Sequence, residues 1–231
     1  MLYEEKIRIP LSTGESIDGV LAYPEKIIEK KAVLLCSPHP HFAGNMDNNV
    51  IKGIYSHLSA QGLPVLRFNY RGVGKSSINL PESLSLFDYW EDVEENKKYT
   101  KALEDTATCV TYLTGIVPEL KITMIGYSFG AIMAMLTGRE NKDVESIVGI
   151  APPLTEYDFS SLKDCNKAVY LIGSSGDFVY DEEKFLALCD DLQALRGYTF
   201  FDDCDHFFRK REKELAERVE HFMVSEKIKH R

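Results

Sequence analysis

Short, unbroken apolar runs recur along this chain, each stopped by proline, glycine or small polar residues, and they leave few folds open to it. Ala32-Val33-Leu34-Leu35-Cys36 halts at Ser37-Pro38-His39-Pro40. Five residues are too few for a helix, and a run that is apolar at every position suits a strand covered on both faces. The unit returns at 64–69, 121–125, 144–150, 167–173 and 196–201, with helical patterns at 47–61, 100–114, 129–138, 181–193 and 208–228. Ahead of the repeat, 4–9 and 16–23 alternate as two antiparallel strands around the turn Ser12-Thr13-Gly14-Glu15. Strands alternating with helices predict an α/β fold: a mostly parallel central sheet of about eight strands with helices on both faces. Ligands bind such sheets beyond the carboxyl ends of the strands.

A chain of 231 residues, 44% hydrophobic and 27% charged, suits one compact domain over 1–231. A net charge of -9 argues against nucleic acid or an anionic membrane surface as partner. Met1-Leu2-Tyr3-Glu4-Glu5-Lys6 carries charges where a secretory signal needs an apolar run. Later stretches fall short of the roughly 20 apolar residues of a membrane span, so a cytoplasmic location without a span is expected. Cys36, Cys109, Cys165, Cys189 and Cys204 are odd in number and form no CxxC pair, which suggests small buried side chains rather than disulfides or a zinc site. Residues 79–99 and 152–166 exceed simple connections and leave carboxyl ends of strands, so both are expected as small caps or rims, 79–99 as an insertion within the domain.

The most informative stretch is Met124-Ile125-Gly126-Tyr127-Ser128-Phe129-Gly130-Ala131, where a strand runs through G-x-S-x-G into a helix of small and apolar residues. So tight a junction leaves no room for Cβ atoms at its glycines, and it lifts Ser128 Oγ above the sheet at a helix N-terminus. A serine hydroxyl becomes a nucleophile only when a base takes its proton. Among six histidines, His221 and His230 fall in or beyond the last helix and His57 fits within a surface helix, whereas His206 follows the last strand and returns to the edge that holds Ser128. Asp177, at the end of Val169-Tyr170-Leu171-Ile172-Gly173-Ser174-Ser175-Gly176, could orient His206 through Nδ1. Asp202, Asp203 and Asp205 are rivals by nearness in sequence.

An acyl intermediate needs two donors for its oxygen. One is expected from the Phe129 N–H and the second from Ser37-Pro38-His39-Pro40-His41-Phe42-Ala43-Gly44, at His41 with Phe42 next in line. His39 is expected to hydrogen-bond beneath that loop and His41 to line the pocket. Their H-P-H spacing lacks a third ligand, so no metal is expected. Asn45 or Asp47 suits the cap of the helix that follows. Gly74-Lys75-Ser76 ends like a phosphate loop, but the glycine that such a loop needs is replaced by Asn69, and Arg71 reads better as an anchor for a sharp turn.

Together these stretches resemble the α/β-hydrolase superfamily, in particular small bacterial and archaeal serine hydrolases near its dienelactone-hydrolase and prolyl-oligopeptidase-like branches. The likeness is carried by Ser37–His41 with Gly44–Asn48, Leu66–Ser76, Gly126–Gly130, Ala151-Pro152-Pro153, Gly173–Asp177 and Asp205–Phe208. It implies a Ser128, Asp177 and His206 triad, no cofactor, and carboxylic esters as substrates. The chain differs from dienelactone hydrolases in having serine where they have cysteine, and from the common His-Gly oxyanion pattern in having His39-Pro40. A pocket rimmed by Phe42, Tyr127, Trp90, Phe129 and Phe207 would favour an apolar acyl or alcohol group of a small-molecule ester. Thioesters, acyl transfer, amides or short peptides would use the same machinery, and a binding protein on this fold is the rival from another class. A homodimer is the default expectation.

Overall fold

The computed structural model describes residues 1–27, 30–116 and 119–224. Its strands are β1 (Leu2–Pro10), β2 (Ser16–Pro24), β3 (Lys31–Cys36), β4 (Val65–Phe68), β5 (Lys121–Tyr127), β6 (Val144–Ile150), β7 (Ala168–Gly176) and β8 (Leu195–Asp205). Its helices are α1 (Asn49–Ala60), α2 (Leu86–Glu95), α3 (Thr100–Ile116), α4 (Phe129–Gly138), α5 (Glu182–Asp191) and α6 (Glu212–Val224). Residues 225–228, the expected end of the last helix, lie outside the described residues.

The strands form one sheet in the order β1-β2-β4-β3-β5-β6-β7-β8. The β1/β2 and β2/β4 pairs are antiparallel and all others parallel. Successive side chains of a strand face opposite ways, so β3 sends Leu34 and Cys36 into one core and Val33 and Leu35 into the other. Helices α2 to α5 pack into the first core, α1 and α6 into the second. All four β3 side chains are fully buried, which is why the run is apolar throughout. Each such side chain contributes about 1.5–3 kcal/mol on burial.

Asn48 caps α1, its side chain accepting the Val50 N–H at 2.9 Å. Asn45 and Asp47, the residues expected there, are engaged elsewhere: Asn45 Oδ1 accepts the Asp47 N–H, and the Asp47 carboxylate pairs with Arg67 at 2.5 Å. The loop after β4 turns at Gly72 and Gly74, both with positive φ. Asp18 accepts the Lys75 N–H, and Ser76 Oγ bridges the Asn69 carbonyl and the Asp18 N–H. Arg71 anchors the loop as expected, through Asp105 on α3 and Glu15. The five cysteines are free and buried. Among the described residues no helix is long and apolar enough to cross a membrane.

Candidate active site

Parallel pairing brings the carboxyl ends of β3, β5, β6, β7 and β8 to one edge, and the expected site residues follow four of these strands directly. Ser128 lies between β5 and α4 with φ 55° and ψ -121°. A side chain held at positive φ costs on the order of 1–3 kcal/mol, and close packing enforces it. A Cβ on Gly126 would come within 2.0 Å of the Gly130 carbonyl oxygen, and one on Gly130 within 2.0 Å of that of Cys36. The Ser128 N–H donates to the Ile150 carbonyl at 2.9 Å, and its side chain makes no cap bond to α4. The hydroxyl therefore stands at the helix N-terminus uncommitted to the backbone.

Asp177 and His206 meet through sheet register. Gly176 pairs with Asp205, so the residues that follow each become neighbours. His206 Nδ1 lies 2.8 Å from Asp177 Oδ2, with both side chains buried, while Asp177 Oδ1 accepts the Val179 N–H at 2.9 Å. The three rivals point elsewhere. Asp202 and Asp203 are exposed, and Asp205 Oδ1 accepts the Phe207 N–H at 3.0 Å.

Tyr127 is not at the rim. It is 1% exposed, with its ring in the α1/α6 core, 5.3 Å from that of His206. It shares strand parity with Ile125, which turns it beneath the site, and its hydroxyl donates to the His206 carbonyl at 2.8 Å. One residue thus ties the His206 loop to the chain position beside Ser128. Tyr127→Phe is expected to lose about 1 kcal/mol of stability, read as a lower urea midpoint at unchanged slope. An unchanged midpoint would mean that the bond contributes nothing net.

The loop after β3 departs from expectation. Pro40–Phe42 form a 3₁₀ turn in which the His41 N–H donates to His39 Nδ1 at 3.1 Å and the Phe42 N–H to the His39 carbonyl at 3.1 Å. Both candidate second donors are thus engaged within their own loop. His39, 4% exposed, packs its ring 4.4 Å from Phe129, and burial pushes its pKa down to about 4. Phe129 is itself buried at the start of α4.

Phe178 (72% exposed) and Phe207 (38%) lie beside His206, their rings 4.9 and 5.5 Å from it, while Phe42 (72%) is exposed against His39 and His41. Trp90 is buried rather than exposed at the rim, packing against His39, Tyr70 and Tyr89. It still lines a cavity of ≈ 380 Å³ with His41, Leu86, Phe87 and Val73. Phe178 was not singled out in the sequence, although its place directly after Asp177 could have marked it. Glu94, also not singled out, lies four residues after Trp90, on the helix face that Trp90 and Val93 bury. Among the described residues no three His, Cys, Asp or Glu side chains gather as a metal site.

Comparison with known proteins agrees with this architecture. The α/β hydrolase fold family model matches residues 32–215. An uncharacterized protein of Rickettsia prowazekii is 25% identical over 201 residues, covering 83% of this chain and 78% of that protein. A serine hydrolase homologue from Coxiella burnetii superposes with a TM-score of 0.79 at 23% identity, covering 95% of this chain and 97% of that one. A Xanthomonas campestris α/β serine hydrolase described as without a lid gives 0.77 at 20% identity, covering 94% and 92%. The Pyrococcus furiosus esterase Pf2001 gives 0.73 at 16% identity, covering 96% and 92%. With the family model spanning every strand from β3 to β8, this chain belongs to the α/β hydrolase fold family.

Proposed function

We propose that this protein is a serine hydrolase that cleaves small carboxylic esters through an acyl-enzyme on Ser128. The observation that carries the reading is a strained, uncapped serine on the same sheet edge as a buried, hydrogen-bonded Asp177–His206 pair. The strained serine costs the fold stability, and together the two features supply a nucleophile, a base and an orienting acid.

In the first step His206 Nε2 takes the Ser128 proton as Oγ bonds to the ester carbonyl carbon, and the carbonyl oxygen becomes an oxyanion. Collapse breaks the bond to the alcohol, which leaves with the proton from His206. Water then adds with His206 again as base, and the acid departs as Ser128 is restored. Asp177 holds the Nδ1 proton throughout. The Phe129 N–H is the first oxyanion donor. The His41 N–H becomes the second when it exchanges its bond to His39 Nδ1 for one to the oxygen, a swap of acceptors rather than the loss of one.

The exposed Phe178 and Phe207 rings beside His206 suit an apolar group on the substrate. Across p-nitrophenyl esters of rising acyl length, kcat/KM is expected to peak at a short to medium chain. A rate that climbs without a maximum would mean that no wall near Ser128 limits the acyl chain, and no hydrolysis by folded protein would contradict the ester reading.

A further inference from the structure

The Glu94 carboxylate stands where three segments meet, and the chemistry above gives it no part. It projects from α2, in the insertion at 79–99. Its Oε2 lies 3.2 Å from His39 Nε2 and accepts the hydroxyl of Tyr157 at 2.5 Å, while Oε1 accepts from Lys97 at 3.1 Å. Tyr157 belongs to the other long segment, 152–166. One half-buried carboxylate therefore joins both expected rims to the loop after β3. Burial would raise its pKa, but the Tyr157 hydroxyl, His39 and Lys97 together hold it below the ordinary glutamate range.

His39 transmits this contact. Its buried ring is neutral, and Nδ1 accepts the His41 N–H, so its single ring proton sits on Nε2, toward Glu94. The opposite tautomer would set two N–H groups against each other and a bare lone pair against a carboxylate. Nε2 has no aligned hydrogen bond, so the hold is electrostatic, across 3.2 Å.

The geometry points to Glu94 as a positioning residue of the oxyanion site, one that keeps His39, packed 4.4 Å from Phe129, and the 3₁₀ turn bonded to it in place beside the start of α4. Released from this hold, the 3₁₀ turn would sample other directions, and the entropy of ordering it would add to the barrier. The inference rests on the serine-hydrolase reading and deepens it.

The test is the rate at which a fluorophosphonate modifies Ser128, followed by intact mass. Oγ bonds to phosphorus, fluoride leaves, and His206 takes the proton, with negative charge building on the phosphoryl oxygen. Glu94→Ala is expected to slow both labelling and ester kcat about tenfold, less than the ~10²–10³ of losing a donor outright, with KM within about twofold of the wild-type value. Glu94→Gln, whose amide oxygen can still accept from the Tyr157 hydroxyl and face Nε2 but carries no charge, is expected to recover part of the loss. Glu94→Met keeps the length and loses both acceptors, and serves with the same expectation if the alanine variant fails to fold.

In a His39→Asn background, Glu94→Ala is expected to add less than about twofold, because the route through His39 is already cut. Wild-type rates in Glu94→Ala, or an equal cost in both backgrounds, would overturn the inference alone. A wild-type protein that is never labelled at Ser128 would overturn the serine-hydrolase reading and this inference with it.

Discussion

Ser128→Ala is expected to lower kcat on p-nitrophenyl esters by at least about 10⁴-fold while KM stays within a few-fold. Alanine keeps the Cβ, so the strained backbone at φ 55° and its neighbours Gly126 and Gly130 are undisturbed. The lost hydroxyl makes no cap bond to α4, so the change in stability should stay within about 0.5 kcal/mol. What disappears is the covalent route. The residual rate would come from water activated by His206 and from the Phe129 N–H. The steady-state constants and a urea melt of the same preparation separate these effects, since loss of activity with an unchanged midpoint isolates the chemistry from the fold.

The largest loss of stability is expected from Asp105→Ala. Asp105 is fully buried on α3 and accepts two hydrogen bonds from Arg71, from the backbone N–H at 2.9 Å and from Nε at 2.8 Å, with a terminal guanidinium nitrogen in ion-pair contact at 2.6 Å. Arg71 is 1% exposed, and its other carboxylates, Glu15 at 3.3 Å and Glu104 at 3.2 Å, are farther away. Removing Asp105 leaves a buried guanidinium short of its main partner, a change that costs about 3–5 kcal/mol. The effect should reach the site, because Arg71 opens the turn whose Gly72, Val73 and Gly74 line the cavity beside His41. Urea unfolding measures it directly. A loss under about 1 kcal/mol would show that Glu15 and Glu104 hold Arg71 without Asp105.

Elements buried on both faces were the most legible in the sequence. The β3 run and the Gly126–Gly130 junction owe their residue types to contacts that admit no alternative, so composition alone marks them. Asp177 and His206 were legible from chain order, since each follows a strand that must end on the same edge. The stretch Gly173–Gly176 was not: it looks like a flexible turn but continues β7, because Ser174 Oγ donates to the Cys204 carbonyl and Ser175 Oγ accepts the Asp203 N–H from β8. Hydroxyls that bond across strands leave no trace in a local pattern.

Tyr127 was misplaced by reading its nearness to Ser128 rather than its parity with Ile125, a signal the sequence did contain. The engaged His41 amide and the Glu94 contact are different in kind. The first is a bond to His39 two residues back, set by a 3₁₀ turn that the residue types do not spell out; the second is a meeting of His39 with a helix some fifty positions later, which neither strand spacing nor motif order encodes. That Trp90, Val93 and Glu94 share a helix face is the nearest available hint.

An ester carbon bonded to Ser128 can be trapped by rapid acid quenching of the protein mixed with p-nitrophenyl acetate. One acetyl group per chain is expected on the peptide holding Ser128, forming with the burst of p-nitrophenolate and absent from Ser128→Ala. Steady hydrolysis by Ser128→Ala at the wild-type rate, with the acetyl group on another residue or on none, would contradict an acyl-enzyme on Ser128.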